Sequence, residues 1–196
     1  MISLTKKERE TLLILFKDHT IFYNANSISK VLNISHVGAQ KIFKRLLNEN
    51  LVVSKTIGKS TTYKLNFNEN YVGQLIAFLL ADEANNFKRW KEEFKELFKK
   101  DRIVMLFGST IKDYTHAHDI DLMIVLENKE IKEVNIALKK KEEILPKKLH
   151  AVKLTHQDLV DNLKRKDKAM VDIVKNAIIL YGQEKYVEIL KNIQKW

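Results

Sequence analysis

The sequence predicts an α+β chain in two parts, a helical N-terminal third closed by a β-hairpin and then a domain in which short buried strands alternate with helices. Three observations carry this. Residues 51–57 and 61–65 are rich in Val, Thr, Ile and Tyr and flank Gly58-Lys59-Ser60, a hairpin signal. Residues 103–107 and 120–126 are apolar runs of strand length separated from one another and from later apolar runs by polar or helix-period segments. The charge is also uneven: residues 1–68 hold 11 Lys/Arg against 4 Asp/Glu, and residues 69–196 hold 24 against 21. A basic block beside a near-neutral one is the footprint expected of a nucleic-acid-binding module, although a general lysine bias gives the same excess.

Taken in order, residues 5–17 start with Thr5 and Glu8 three places apart, a capping box, and continue with Leu12, Leu15 and Phe16 at helical spacing. Residues 27–32 read as a short helix, residues 33–35 as a tight turn and residues 36–48 as a third helix with Phe43, Leu46 and Leu47 as its apolar stripe. The hairpin follows. Residues 69–100 read as connecting helix, in which Phe87, Trp90, Phe94, Leu97 and Phe98 form a packing face expected to dock the two domains. After the strands at 103–107 and 120–126, residues 130–144 form a Lys/Glu-rich helix that Pro146 stops. A third strand is expected at 149–154, with helices at 156–165, 168–180 and 184–194. The expected boundaries are therefore 1–68, 69–100 and 101–196.

Composition removes several classes of function. There is no cysteine, so disulfide frameworks, thiolate metal sites and cysteine nucleophiles are excluded. No stretch approaches the ~18–20 apolar residues of a spanning helix, and the N-terminus is too charged for a signal peptide, so no membrane contact and a cytoplasmic location are expected.

The chemistry is concentrated in LFGSTIKDYTHAHDIDLMIVL, residues 106–126. Gly108-Ser109 ends a buried strand, where glycine lets backbone approach a phosphate and the serine hydroxyl and nearby N–H groups can bind its oxygens. Asp119 and Asp121 flank Ile120, and residues two apart in a strand project to the same side. Two like charges held together call for a cation, and oxygen ligands suit Mg²⁺. His116 and His118 in the preceding loop invite a transition-metal reading; a polar loop near the ribose or base is preferred, because a carboxylate pair beside a phosphate loop calls for a hard cation.

GS-x9-DID resembles the nucleotidyltransferase motif of the DNA polymerase β superfamily. That resemblance implies that Gly108 and Ser109 contact the triphosphate of an NTP and that Asp119 and Asp121 hold Mg²⁺ and carry catalysis. It implies transfer of a nucleoside monophosphate to a hydroxyl acceptor within an α/β domain with a small mixed sheet and flanking helices. Active members of the superfamily carry a third carboxylate on a later strand; here that strand, KKLHAVKLT over 147–155, has no Asp or Glu. His150 or Lys153 stands nearest; a histidine there can act as a base, and the preferred reading of His150 is a packed or exposed strand residue.

Residues 27–66 resemble the helix-turn-helix and wing of small prokaryotic winged-helix regulators. His36, Gln40, Lys41 and Lys44 would then meet a DNA major groove, with Lys55 and Lys59 of the wing at phosphate or minor groove. Two alternatives stand beside the enzyme: a transcription regulator whose second domain only binds nucleotide or dimerises, and a nucleotidyltransferase-type antitoxin with a toxin partner. Winged-helix regulators commonly act on two-fold sites, so a homodimer is expected.

Overall fold

The computed structural model describes residues 3–193, and the chain divides into two compact units, one ending at Leu79 and the other starting at Leu80. Position 194, assigned above to the last helix, lies outside the described residues. Among the described residues no helix is long and apolar enough to cross a membrane.

The first unit opens with α1, Lys6–Lys17. Thr5 and Glu8 close the expected capping box, with the Thr5 N–H donating to Glu8 Oε2 at 2.7 Å and the Glu8 N–H donating to Thr5 Oγ1 at 3.3 Å. Helix α2, Ala25–Leu32, is capped by Asn24 and ends on Asn33 in the left-handed region, so the chain turns at once into α3, His36–Asn48, whose first turn is capped by Ser35. Phe16, Ile28, Ala39, Phe43 and Leu46 are buried together with Leu51 and Leu65. Strands β1, Val52–Ile57, and β2, Ser60–Leu65, pair antiparallel with Ile57 opposite Ser60. The loop is thus two residues long, and Gly58 has φ +60°, the positive value that a two-residue hairpin requires at its first central position. The Phe43 ring stacks on Tyr63 with centroids 3.8 Å apart, which seats β2 on α3.

Helix α4, Asn70–Ala84, carries the chain across the division between the units. Trp90, Phe94 and Leu97, expected to dock the domains, are core residues of the second unit, on and just after α5, Lys88–Glu93. The four-stranded sheet there runs β5-β4-β3-β6, with β3 at Ile103–Phe107, β4 at Asp119–Val125, β5 at Lys148–Leu154 and β6 at Ile178–Tyr181. Strands β3/β4 and β3/β6 are antiparallel and β4/β5 parallel, the latter joined through α6, Ile131–Ile144. One sheet face (Val104, Leu106, Ile120, Leu122, Ile124, Leu149) packs with Trp90, Phe94, Leu97 and with Val134 and Leu138 of α6. On the rest of the sheet α7, His156–Lys164, contacts β5, and α9, Gln183–Ile193, contacts β3.

The expected helix over 168–180 is corrected. Helix α8 spans Lys168–Asn176 and stops at Ala177, and Ile178–Tyr181 become the edge strand β6. A short apolar run does not declare its period, and pairing with β3 decides it.

Candidate active site

The register of β3, β4 and β5 builds the site. Phe107, the last residue of β3, is opposite Asp121, and Asp121 is in turn opposite His150 on β5. Strand alternation turns Asp119 and Asp121 away from Ile120, which is wholly buried in the core below. The two carboxylates stand at the open start of β4, with side chains 30% and 21% exposed.

His150 Nδ1 lies 3.1 Å from Asp119 Oδ2 and 3.8 Å from Asp121 Oδ1. One ligand atom from each of Asp119, Asp121 and His150 lies within 4.8 Å of the others, the one such group of three among the described residues. His150 is exposed and faces both aspartates. Its place opposite Asp121 follows from the parallel pairing of β4 with β5.

Gly108 comes against the same carboxylate from above. Its backbone has φ +77° and ψ −157°, a conformation that side-chain-bearing residues essentially do not adopt. A Cβ at Gly108 would fall 2.0 Å from Asp121 Oδ2, so only glycine lets this turn close over the aspartate. Ser109 is exposed and begins a single 3-10 turn, Ser109–Ile111. The next residue, Thr110, is buried and donates its hydroxyl to the Asp119 carbonyl oxygen at 2.8 Å, locking the glycine-serine turn to the start of β4. Sequence reasoning passed over Thr110, since a threonine after a turn carries no signal of its own.

The intervening loop is held from below by Lys147, whose ammonium donates to the carbonyl oxygens of Tyr114, Thr115 and Ala117, the Thr115 contact being 3.2 Å. His116 turns to Asp113 at 2.6 Å, and His118 is exposed; neither belongs to the three-residue group. Hydrogen bonds from Thr115 and then His116 hold the Asp113 carboxyl down at about 2.

The electrostatics of the pair suit a cation. Burial, and then the charge of Asp119, push the Asp121 carboxyl above its ordinary value, and His150 offsets part of that. Two carboxylates in partial burial are costly without a counter-charge, and a divalent cation supplies one. The donor set of two carboxylates and an imidazole therefore fits a divalent metal, with the Gly108-Ser109 backbone placed beside it.

In the first unit, His36, Gln40, Lys41 and Lys44 all lie exposed on α3, and Lys55 and Lys59 are exposed on β1 and at the hairpin tip. Val37 and Ile57 are exposed among them, at 58% and 49%.

Residues 92–186 match the family described as polymerase beta, nucleotidyltransferase. The match covers β3 to β6 and every residue of the site. No curated protein and no solved structure matches the chain. The second unit thus has the support of a family match for a nucleotidyltransferase-like domain, with a nucleotide as its substrate class.

Proposed function

We propose that the protein is a metal-dependent nucleotidyltransferase that moves a nucleoside monophosphate from an NTP to a hydroxyl acceptor and reaches DNA through a winged helix in its first unit. The observation that carries the reading is the closure of Gly108 over Asp121 beside Asp119, within a segment matching nucleotidyltransferases. Asp119 and Asp121 would hold Mg²⁺ between them. A bound divalent cation supplies charge neutralisation on the phosphates and orients the in-line displacement. The Gly108-Ser109 turn offers an exposed hydroxyl and a backbone with no side chain in the way of a phosphate. Thr110 and Lys147 keep that turn and its loop in register with β4.

A specific observation favours a second reading. Strand β5 has no carboxylate, and the side chain facing the aspartates from it is His150. A domain without a third acid can bind a nucleotide and report it to a DNA-binding module without turnover. The two readings separate in one experiment. Titration calorimetry with NTP and Mg²⁺, followed by a pyrophosphate assay on the same sample with and without hydroxyl acceptors, should show binding with release for the enzyme and binding without release for the regulator. Asp119→Asn with Asp121→Asn should abolish the Mg²⁺-dependent binding; unchanged affinity there would refute the metal assignment under either reading.

A further inference from the structure

We infer that His150 is the third protein ligand of the cation held by Asp119 and Asp121, and that its imidazole makes the site prefer a first-row transition cation, with Mn²⁺ as the probe, to Mg²⁺. The inference rests on the reading of the two aspartates as metal ligands and adds the ligand and the selectivity.

The geometry is the first support. Ligand atoms sharing one octahedral cation at bonds of about 2.1 Å stand roughly 3 Å apart along an edge. His150 Nδ1 stands 3.1 Å from Asp119 Oδ2 and 3.8 Å from Asp121 Oδ1, and one atom from each of the three fits within 4.8 Å. Small side-chain rotations close that triangle to a coordination face without moving backbone. The backbone itself is fixed, because His150 and Asp121 are register partners in a parallel pairing that runs from Asp119 to Val125. A parallel pair directs partner side chains to one sheet face, so the ring is delivered to the aspartates by the sheet and not by a mobile loop.

The chemistry is the second support. Mg²⁺ is a hard cation that takes carboxylates, phosphates and water. Imidazole nitrogen gains little from Mg²⁺ and more from first-row transition cations, along whose series affinity for nitrogen ligands rises. Exchanging a third oxygen for nitrogen therefore weakens the site for Mg²⁺ relative to Mn²⁺. His150 is 60% exposed, so its ring reaches the aspartates from the solvent side of the sheet. A bare ion pair between His150 and Asp119 is the rival account, and it requires no metal nitrogen bond.

The test uses the full-length protein and the metals alone. Calorimetry and Mn²⁺ EPR should give Mn²⁺ binding about tenfold or more tighter than Mg²⁺, a margin of the size that ligand-sphere changes produce. Pulsed EPR of the Mn²⁺ complex should show ¹⁴N modulation from coordinated imidazole. His150→Ala should remove that modulation and cost Mn²⁺ about tenfold in affinity, while Mg²⁺ affinity changes far less. His150→Asp should tighten Mg²⁺ and invert the preference. Wild-type Mn²⁺ binding with no ¹⁴N signal, lost in Asp121→Asn but unaltered in His150→Ala, would overturn the role of His150 and leave the aspartates standing as ligands. Binding of neither metal by the wild type, with or without NTP, would overturn the metal reading itself and this inference with it.

Discussion

Asp121 sits where its own negative charge is disfavoured. Burial and the neighbouring Asp119 raise its carboxyl above the ordinary range. A carboxyl raised in the folded state contributes stability below its unfolded value near 3.9, and that contribution is lost as the pH rises through the folded value. Above that range the metal-free protein therefore lacks the contribution. Asp121→Asn removes one of the two charges while keeping the shape. The thermal midpoint of the metal-free protein at pH 7 is expected to rise by about 2–4 °C, the equivalent of roughly 1 kcal/mol. The gain should shrink as the pH falls through the raised Asp121 value, where that carboxyl takes up its proton in the wild type. Metal ions should raise the wild-type midpoint and leave the variant unmoved. Scanning fluorimetry across pH, with and without metal, reads all three; a variant less stable than the wild type at neutral pH would show that Asp121 is held by contacts that outweigh the repulsion.

At the scale of the element, the turn at Gly108 is fixed twice, by a backbone conformation closed to other residues and by the Asp121 carboxylate 2.0 Å from where a Cβ would sit. Gly108→Ala should cost about 1–3 kcal/mol in urea denaturation and abolish nucleotide binding. The two causes separate in a cycle with Asp121→Gly, since neighbouring positions are not additive. If the clash is the larger part, Gly108→Ala costs distinctly less in the Asp121→Gly background; equal costs in both backgrounds would assign the strain to the backbone alone. This turn was legible in the sequence because its parts are local: glycine and serine after an apolar run, then two aspartates at strand spacing. The resemblance put His150 or Lys153 nearest the expected third acid, but it did not decide between them or show His150 facing the aspartates, because His150 meets Asp121 only once β4 and β5 pair in parallel across the whole of α6. Strand β6 was missed for a related reason. KNAIILYG carries no breaker between α8 and Ile178, and what makes IILY a strand is the free edge of β3 beside it. Only Gly182, closing the run, marked its end in the sequence.

For the molecule as a whole, the division of charge matters more than its total. The net +10 is concentrated in residues 1–68, which hold 11 basic against 4 acidic side chains, and the aspartates of the candidate active site lie in the part with 24 against 21. The proposed NTP site and the proposed DNA-binding surface thus fall on different units and should respond to salt differently. Each phosphate neutralised on duplex DNA steepens the slope of log affinity against log salt by about 0.9. Lys41 and Lys44 are both exposed on α3. If each neutralises one phosphate, Lys41→Ala with Lys44→Ala should reduce the slope by about 2 and weaken binding to all duplex sequences alike. Gln40→Ala should instead leave the slope unchanged and flatten the preference among sequences, since an amide reads base edges and carries no charge. Fluorescence anisotropy with duplexes of random and selected sequence, at several salt concentrations, measures both quantities. An unchanged slope in the double variant would mean that α3 is not the DNA face. The exposed Val37 on α3 and Ile57 on β1 would then make a protein surface the better partner for the first unit.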